Sequence, residues 1–188
     1  LDLAVAKLAE KKIVDSGHPG LAASQWDRLI QASRSVKEAM LVDQRPEAYT
    51  ISLRAEGSSM LAGAIQVELT AEEMDRTLLD GFFPRGDLSD RPAGGQSGFQ
   101  EFGLPYASDP AVTRHLSEFL TEHRRSGLDQ DDRDSADRPD LVLFNGGVMV
   151  APAIRRRILD SLTDWFCGPG ETWQPRVLSS PRLDLAVA

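Results

Sequence analysis

Apolar residues recur at helical spacing near the start of the chain. Over residues 1–14 they share one face, which predicts an amphipathic helix: Leu3, Val5, Ala6, Leu8, Ala9 and Ile13. A stretch with glycine and proline at residues 17–20 then interrupts the pattern. Ser24 is the predicted N-cap of a second helix that extends to about Leu41. The predicted inner face of that helix carries Trp26, Leu29, Ile30, Ser33, Val36 and Met40.

Two later segments alternate between apolar and polar residues, which is typical of strands with one buried face. Their apolar positions are Tyr49, Ile51 and Leu53 in the first segment and Ile65, Val67 and Leu69 in the second. We therefore expect an antiparallel pair of strands. Thr70 to Glu73 reads T-A-E-E, the pattern of a capping box, and predicts the start of a helix. That helix would bury Met74, Leu78 and Leu79.

The middle of the chain has little periodic pattern. Residues 84–98 are rich in Gly, Pro, Asp, Ser and Arg, which indicates a surface loop. Asp109 and Pro110 then supply a cap and a first-turn proline for a helix that ends near Gly127. The apolar positions of that helix are Val112, Leu116, Phe119 and Leu120. The acidic residues 128–140 are nearly free of apolar side chains and predict a linker.

The last part of the chain predicts a strand, a helix and a second strand. Residues 141–145 indicate a buried strand, a helix follows from Pro152, and a short strand follows around Val177. Gly146 and Gly147 lie between the first strand and the helix. Two explanations stay open: a tight turn needed for packing alone, or a backbone brought close to a ligand. We expect the glycines to lie at the carboxyl end of the strand, exposed to an open cleft and not buried, because ligand crevices of open α/β sheets lie there.

Composition narrows the class of protein. With 41% hydrophobic and 27% charged residues, the sequence predicts a soluble globular chain. A net charge of −8 and the lack of a basic stripe argue against nucleic-acid binding. No apolar run is long enough to cross a bilayer, so no membrane association is expected. The single cysteine, Cys167, suits a reducing cytoplasm. Since the chain starts without Met, we expect a piece of a larger protein.

Several kinds of metal or catalytic site match the sequence poorly. The acidic run at residues 129–134 lacks the glycine and glutamate spacing of an EF-hand. His115, Glu118, Glu122 and His123 share a predicted helix but lack the spacing of a zinc site. No G-x-S-x-G elbow is present, which argues against a serine hydrolase. No strand is followed by G-x-G-x-x-G, which argues against a Rossmann-type enzyme.

Arg34 and Lys37 lie one turn apart on the second predicted helix. Two cations at this spacing are explained by a solvated helix face. Two hydrogen-bond donors aimed at a ribose or a base would produce the same pattern. Periodicity leaves both explanations open.

Four segments occur in an order that is more informative than any one of them. They are QWDRLIQASRSVKEAML (25–41), IQVELTAEEMDRTLL (65–79), LVLFNGGVMVAPAIRRRIL (141–159) and SSPRLDLAVA (179–188). In this order they resemble the DnaK-type heat-shock chaperones, whose corresponding segments include two adenosine-contacting motifs. Residues 98–120, with the loop before them, resemble an insertion in a divergent bacterial branch of that family. The resemblance extends over nearly the whole chain.

The resemblance implies an α/β fold that is a fragment of an actin-like (ribonuclease H-like) ATPase domain, namely lobe II with an α+β subdomain. Residues 15–83 would form the α+β subdomain with the adenosine-side helix. Residues 84–136 would form a family-specific insertion, a helix and the acidic linker. Residues 137–188 would form the βαβ piece of the actin-like core.

The same resemblance implies ATP or ADP as the cofactor of the full-length protein. Lys37 matches the lysine with which the family contacts adenosine. Gly146 and Gly147 match the glycine pair of the second adenosine motif. Arg34 stands where the family usually has a Glu that meets the ribose. The nucleotide-binding residues implied in this chain are therefore Lys37, Arg34, Gly146 and Gly147.

The chain departs from the family pattern after the glycine pair. Where the family has Ser-Thr-Arg, this sequence has Val148, Met149 and Val150, so a hydroxyl and a stacking guanidinium are missing. The phosphate loops and Mg²⁺-positioning carboxylates of the family precede the matching segment, so this chain alone is not expected to hydrolyse ATP. In the full-length protein, client proteins or cochaperones are the implied partners. The alternative is a protein-interaction module on an actin-like scaffold with a degenerate nucleotide site. In it the loop 84–108 and its flanking helices contact a protein partner.

Overall fold

The computed structural model describes residues 1–54, 64–94, 109–123, 138–168 and 170–179. These residues form a mixed α/β structure, which confirms the α/β part of the predicted fold class; the actin-like fold stays a prediction. The chain divides into two compact units, Leu1–Asp80 and Gly81–Ala188. No helix within the described ranges is long and apolar enough to cross a membrane.

Two helices form one layer of the first unit. α1 (Asp2–Asp15) and α2 (Ala23–Met40) lie where the apolar spacing predicts them and pack against each other. Their fully buried side chains are Val5, Ala6, Ala9, Ile13, Leu29, Ser33, Val36 and Met40. Ser33 is tolerated in this core because its hydroxyl donates to the Leu29 carbonyl oxygen one turn earlier, at 2.8 Å.

The start of α2 differs from the prediction. Ser24 is not its N-cap, because the helix begins at Ala23 and Ala22 precedes it without a side-chain cap. Gln25 compensates: its side-chain oxygen accepts the Ala22 N–H at 3.0 Å. The amide nitrogen of Gln25 donates to the Arg54 carbonyl oxygen at 3.1 Å, which ties the helix start to a neighbouring strand.

The predicted antiparallel pair is confirmed. β1 (Ala48–Arg54) and β2 (Ala64–Thr70) pair with Ile51 opposite Val67 and Leu53 opposite Ile65. These four side chains and Leu69 are buried, and both helices contact the pair. The alternation therefore reflects one face against the helices and one against solvent. The connection at residues 55–63 lies outside the described part of the chain.

The capping box after β2 is also confirmed. Thr70 Oγ1 accepts the Glu73 N–H at 3.2 Å, and Glu73 Oε2 accepts the Thr70 N–H at 2.8 Å. A short helix, α3 (Ala71–Met74), starts there and continues as a π-helical segment (Asp75–Asp80). The Lys12 ammonium of α1 donates to both Glu73 oxygens, at 2.6 and 2.8 Å. Partial burial raises the pKa of Glu73, but the bonds from Lys12 and Thr70 outweigh it and lower the pKa.

The first part of the second unit is a loop that packs along a helix. Residues 84–94 are irregular, as predicted. The helix α4 (Val112–His123) follows after the segment 95–108, which lies outside the described residues. Pro110 lies before the helix and not in its first turn, because helical structure starts only at Val112. Residues 95–108 and 124–137 lie outside the described residues. They include the helix end predicted near Gly127 and most of the acidic linker.

Of the four apolar positions predicted for α4, only Leu120 is buried. Phe119 is 58% exposed, whereas Thr113 and Ser117 are buried beside Leu120. The two hydroxyls donate to carbonyl oxygens of the loop: Thr113 to Pro84 and Ser117 to Asp90, both at 2.7 Å. A face of small hydroxyl residues is favourable here because irregular backbone offers acceptors that a hydrophobic face would leave unpaired.

The end of the second unit contains the predicted strand–helix–strand motif. β3 (Leu141–Leu143) and β4 (Arg176–Leu178) pair in parallel and are joined through α5 (Pro152–Phe166). Ile154, Ile158 and Leu162 bury the inner face of α5. Pro152 occupies the first turn of α5, as expected.

The prediction that residues 141–145 form a buried strand is wrong. Only three of them form β3, and Leu141 and Leu143 are 55% and 56% exposed. Within the described ranges β3 pairs with β4 and no other strand, and the face that carries Leu141 and Leu143 is exposed. Phe144, just past the strand, is the buried residue of this run.

Candidate functional site

The glycine pair forms an open turn at the carboxyl end of β3. Gly146 has a φ of 96°, a conformation that a residue with a Cβ adopts only with strain. A Cβ built at Gly146 or Gly147 would meet no other atom within 4 Å. Gly147 is exposed and Gly146 is half-buried, so the prediction that the turn is not buried is confirmed. Packing therefore does not require the absence of a side chain at Gly147.

A 3-10 helix starts at the second glycine and leads into α5. It spans Gly147–Val150, and the Met149 N–H donates to the Gly146 carbonyl oxygen at 3.0 Å. Ala151 precedes α5 and has no side chain that can cap it. The first N–H groups of α5 are thus uncapped by a side chain, and the positive end of the helix dipole lies beside the glycine turn.

Two valines make the surface after the glycines apolar. Val148 is 43% exposed and Val150 is 52% exposed. Neither side chain can donate a hydrogen bond to a base or a ribose. The open turn fits the close approach of a flat ligand to the backbone, whereas the polar contacts beyond the glycines would have to come from main-chain groups.

Lys37 lies in the first unit on α2, with its side chain only 19% exposed. Its ammonium nitrogen is 2.5 Å from Asp2 Oδ1, at the start of α1. That oxygen is buried and no donor meets hydrogen-bond geometry at it, so the pair is an ionic contact. Asp2 thereby holds the lysine that the sequence singles out. The sequence does not reveal that Asp2 is the partner of Lys37, because the two residues lie on different helices.

Arg34 is placed differently from Lys37. Its side chain is 72% exposed, and its Nε donates to Glu38 Oε1 at 3.0 Å on the same helix. The hydrogen bond and the charge of Glu38 raise the pKa of Arg34. This is the arrangement of an ordinary surface ion pair at i, i+4 spacing. Arg34 and Lys37 therefore have different direct partners, Glu38 and Asp2.

The residues singled out from the sequence divide between the two compact units. Lys37 and Arg34 belong to Leu1–Asp80, and Gly146 and Gly147 belong to Gly81–Ala188. Their assignment to one ligand stays a prediction. The geometry that bears on it is local: an open glycine turn in one unit and an oriented lysine in the other.

The residues weighed as metal ligands have other contacts. His115 Nε2 lies 3.0 Å from the Asp109 carbonyl oxygen, and the His123 ring packs against Phe119 with centroids 5.0 Å apart. Within the described ranges, no group of three or more His, Cys, Asp or Glu side chains converges to hold a metal ion. The acidic run at residues 129–134 lies outside those ranges.

Comparison with known proteins adds no relative. The sequence matches no protein-family model, and no curated protein is significantly similar to it. The features of the chain that bear on function are the glycine turn, the contact of Lys37 with Asp2 and the order of the motifs.

Proposed function

We propose that this chain is part of the adenine-nucleotide-binding domain of a DnaK-like molecular chaperone with an actin-like fold. It forms one wall of the nucleotide cleft and does not hydrolyse ATP alone. The protein acts in the cytoplasm, and its nucleotide state controls binding of client proteins elsewhere in the full-length protein. The order of the four motifs along the sequence supports this assignment.

The observation that carries the proposal is the open turn at Gly146 and Gly147. It lies at the carboxyl end of a parallel strand, where open α/β folds bind ligands. No side chain covers the position of a Cβ at either glycine, so a ligand can approach the backbone closely. The uncapped first turn of α5 adds N–H groups beside it.

Lys37 gives secondary support. A half-buried ammonium held by one carboxylate has a defined position, as a ligand-contacting lysine needs. Lysine has three donors, so a contact with Asp2 leaves others for a ribose or a base. Arg34, exposed and paired with Glu38, contributes less to the proposal.

Titration calorimetry of the full-length protein with ADP and with ATP tests this function. We expect binding by the unmodified protein and weakening of about tenfold in Gly147→Ala, because a methyl group would occupy the space that the ligand approaches. Lys37→Met should also weaken binding. Absence of binding of either nucleotide at millimolar concentration would refute the proposal.

Gly20→Ala is the matched control for the glycine variant. Gly20 has no positive φ, and a Cβ there also meets nothing within 4 Å. The substitution should leave nucleotide affinity unchanged. Equal weakening in both variants would indicate a general effect on the protein and not a contact at the turn.

A second candidate function is favoured by the exposed valines. Val148 and Val150 present apolar surface where a nucleotide site would use polar groups. This fits a protein-interaction module on the same scaffold, with a degenerate nucleotide site. Reading the residues that precede Leu1 in the full-length protein discriminates the two: glycine-rich phosphate loops with carboxylates support the ATPase domain, and their absence supports the interaction module.

A further inference from the structure

A cleft with a volume of about 420 Å³ lies within the second unit, away from the glycine turn in sequence. Asp160 and Asp164 of α5 and Arg85 of the loop before α4 line it on one side. Thr172, Trp173 and Gln174, which precede β4, also line it. No part of the proposed nucleotide function uses these residues.

The charges in the cleft do not balance. Arg85 donates from Nη2 to Asp160 Oδ2 at 2.9 Å and from Nη1 to Asp164 Oδ2 at 3.2 Å. One guanidinium therefore faces two carboxylates, which leaves one negative charge. The second oxygen of each carboxylate has no hydrogen bond to a residue that the structure describes.

Other bonds hold this wall in place without Arg85. The Trp165 indole N–H donates to the Gly86 carbonyl oxygen at 2.6 Å, and Arg157 donates to the Phe83 carbonyl oxygen at 3.2 Å. Both bonds join the loop to α5. The guanidinium of Arg85 is 56% exposed, so it is not needed to fill the core.

Trp173 supplies an aromatic surface that favours cations. The Arg138 guanidinium lies 4.9 Å from the centroid of its ring. Phe166 contacts the same indole edge-on, with ring centroids 6.2 Å apart and planes at 80°. The ring is thus fixed from two sides, and it lines the cleft beside uncompensated carboxylate oxygens.

We propose that this cleft binds the basic side chain, arginine or lysine, of a partner polypeptide. The surplus negative charge attracts the cationic head. The Trp173 ring, which already carries Arg138, packs on the methylene stem of the partner side chain. An anionic ligand would face two carboxylates with a guanidinium that is already paired. The cleft is larger than one cationic head requires, which leaves space for the neighbouring residues of a peptide.

Calorimetry of the full-length protein with three probes tests the proposal: a short peptide with a central arginine, the same peptide with citrulline, and N-acetyl-arginine amide. Citrulline keeps the shape and hydrogen-bonding capacity of arginine almost unchanged but removes its charge. We expect the arginine peptide to bind at least about fivefold more tightly than the citrulline peptide. Equal affinity for these two peptides overturns the proposal. Equal affinity for the arginine peptide and the amino-acid derivative overturns the assignment to a polypeptide partner.

Substitutions locate the site and separate binding from stability. Asp164→Asn should weaken the arginine peptide about threefold to tenfold, whereas Glu122→Gln, a carboxylate with the same 61% exposure, should not change it. Arg85→Gln should strengthen binding by a similar factor, because it frees both carboxylates. If Arg85 only stabilises the fold, Arg85→Gln should instead weaken binding of the arginine peptide. Weaker binding by that variant, with an unchanged circular dichroism spectrum, overturns the proposal.

Discussion

At the scale of single residues, Asp109 has the most strongly shifted pKa among the described residues of the second unit. Only 4% of it is exposed, yet its carboxylate accepts the Ala93 and Ala111 N–H groups, each at 2.8 Å. Arg114 adds a charged bond at 2.9 Å. Burial raises the pKa of Asp109, but the three donors outweigh it and lower the pKa from 3.8 to about 2.

The stability of the protein should therefore depend on Asp109 in acid. Because the folded pKa lies below the unfolded one, the stabilisation is complete above pH 3.8 and is lost as the pH falls towards about 2. The shift corresponds to about 2 kcal/mol of unfolding free energy. Urea denaturation over this range should show a smaller loss in Asp109→Asn than in the unmodified protein. The same acid dependence in both proteins would contradict this assignment.

The two glycines of the turn should respond differently to the same substitution. Gly146→Ala places a Cβ on a residue with a φ of 96° and should cost about 1–2 kcal/mol. Gly147 has no positive φ and no neighbour within 4 Å of a Cβ, so Gly147→Ala should be neutral or stabilise by up to about 1 kcal/mol. Urea midpoints of the two variants check this. A comparable loss in both would mean that Gly147 is constrained by contacts outside the turn.

At the scale of elements, local chemistry accounts for where most helices and strands lie. The capping box joins Thr70 and Glu73 within four residues, so the sequence predicts it without any knowledge of the fold. Strand alternation in β1 and β2 is similarly local. The burial of Thr113 and Ser117 on α4 is not local, because their hydroxyls donate to carbonyl oxygens of a loop 29 and 27 positions away.

Removing the cap at Thr70 should destabilise the start of α3. Thr70→Ala leaves the Glu73 N–H without its acceptor and should cost about 1 kcal/mol. Thr70→Ser keeps the oxygen and should remain within a few tenths of a kcal/mol of the unmodified protein. Thermal or urea denaturation of both variants measures the difference. Equal losses would indicate that the methyl group of Thr70, and not its oxygen, stabilises this segment.

At the scale of the whole molecule, six of the ten large apolar side chains that are exposed in the described ranges belong to the parallel strand pair or to the 3-10 helix after β3. They are Leu141, Leu143, Val148, Val150, Val177 and Leu178. Parallel strands are usually covered on both faces, so a two-stranded pair with this surface is unusual. The core of the same unit is provided instead by α5, where Leu162 is 3% exposed.

Two leucine substitutions test this distribution of burial. Leu162→Ala should cost about 2–5 kcal/mol, because it opens a cavity in the core. Leu141→Ala should cost less than about 1 kcal/mol, because the side chain is 55% exposed. Urea denaturation of the full-length protein compares them. A cost for Leu141→Ala close to that for Leu162→Ala would show that β3 is covered in the full-length protein.

The sequence by itself determined the elements whose causes are local. The spacing of apolar residues predicts α1, α2 and the antiparallel pair β1–β2. The capping box predicts the start of α3, and the two glycines followed by Pro152 predict the turn before α5. In each case the interacting groups lie within a few residues of one another, so their spacing records the structure. The mixed α/β class follows from the order of those elements.

Only the tertiary structure decided which side chains meet across the fold. Asp2 holds Lys37, Lys12 reaches Glu73 from 61 positions away, and Arg85 spans two carboxylates of α5. Such partners carry no signature of one another in sequence, because an ion pair requires proximity in space and not a fixed spacing. The exposure of β3 likewise depends on what packs on the strand. An apolar segment such as Leu141–Leu143 has the same sequence whether its side chains are buried or exposed.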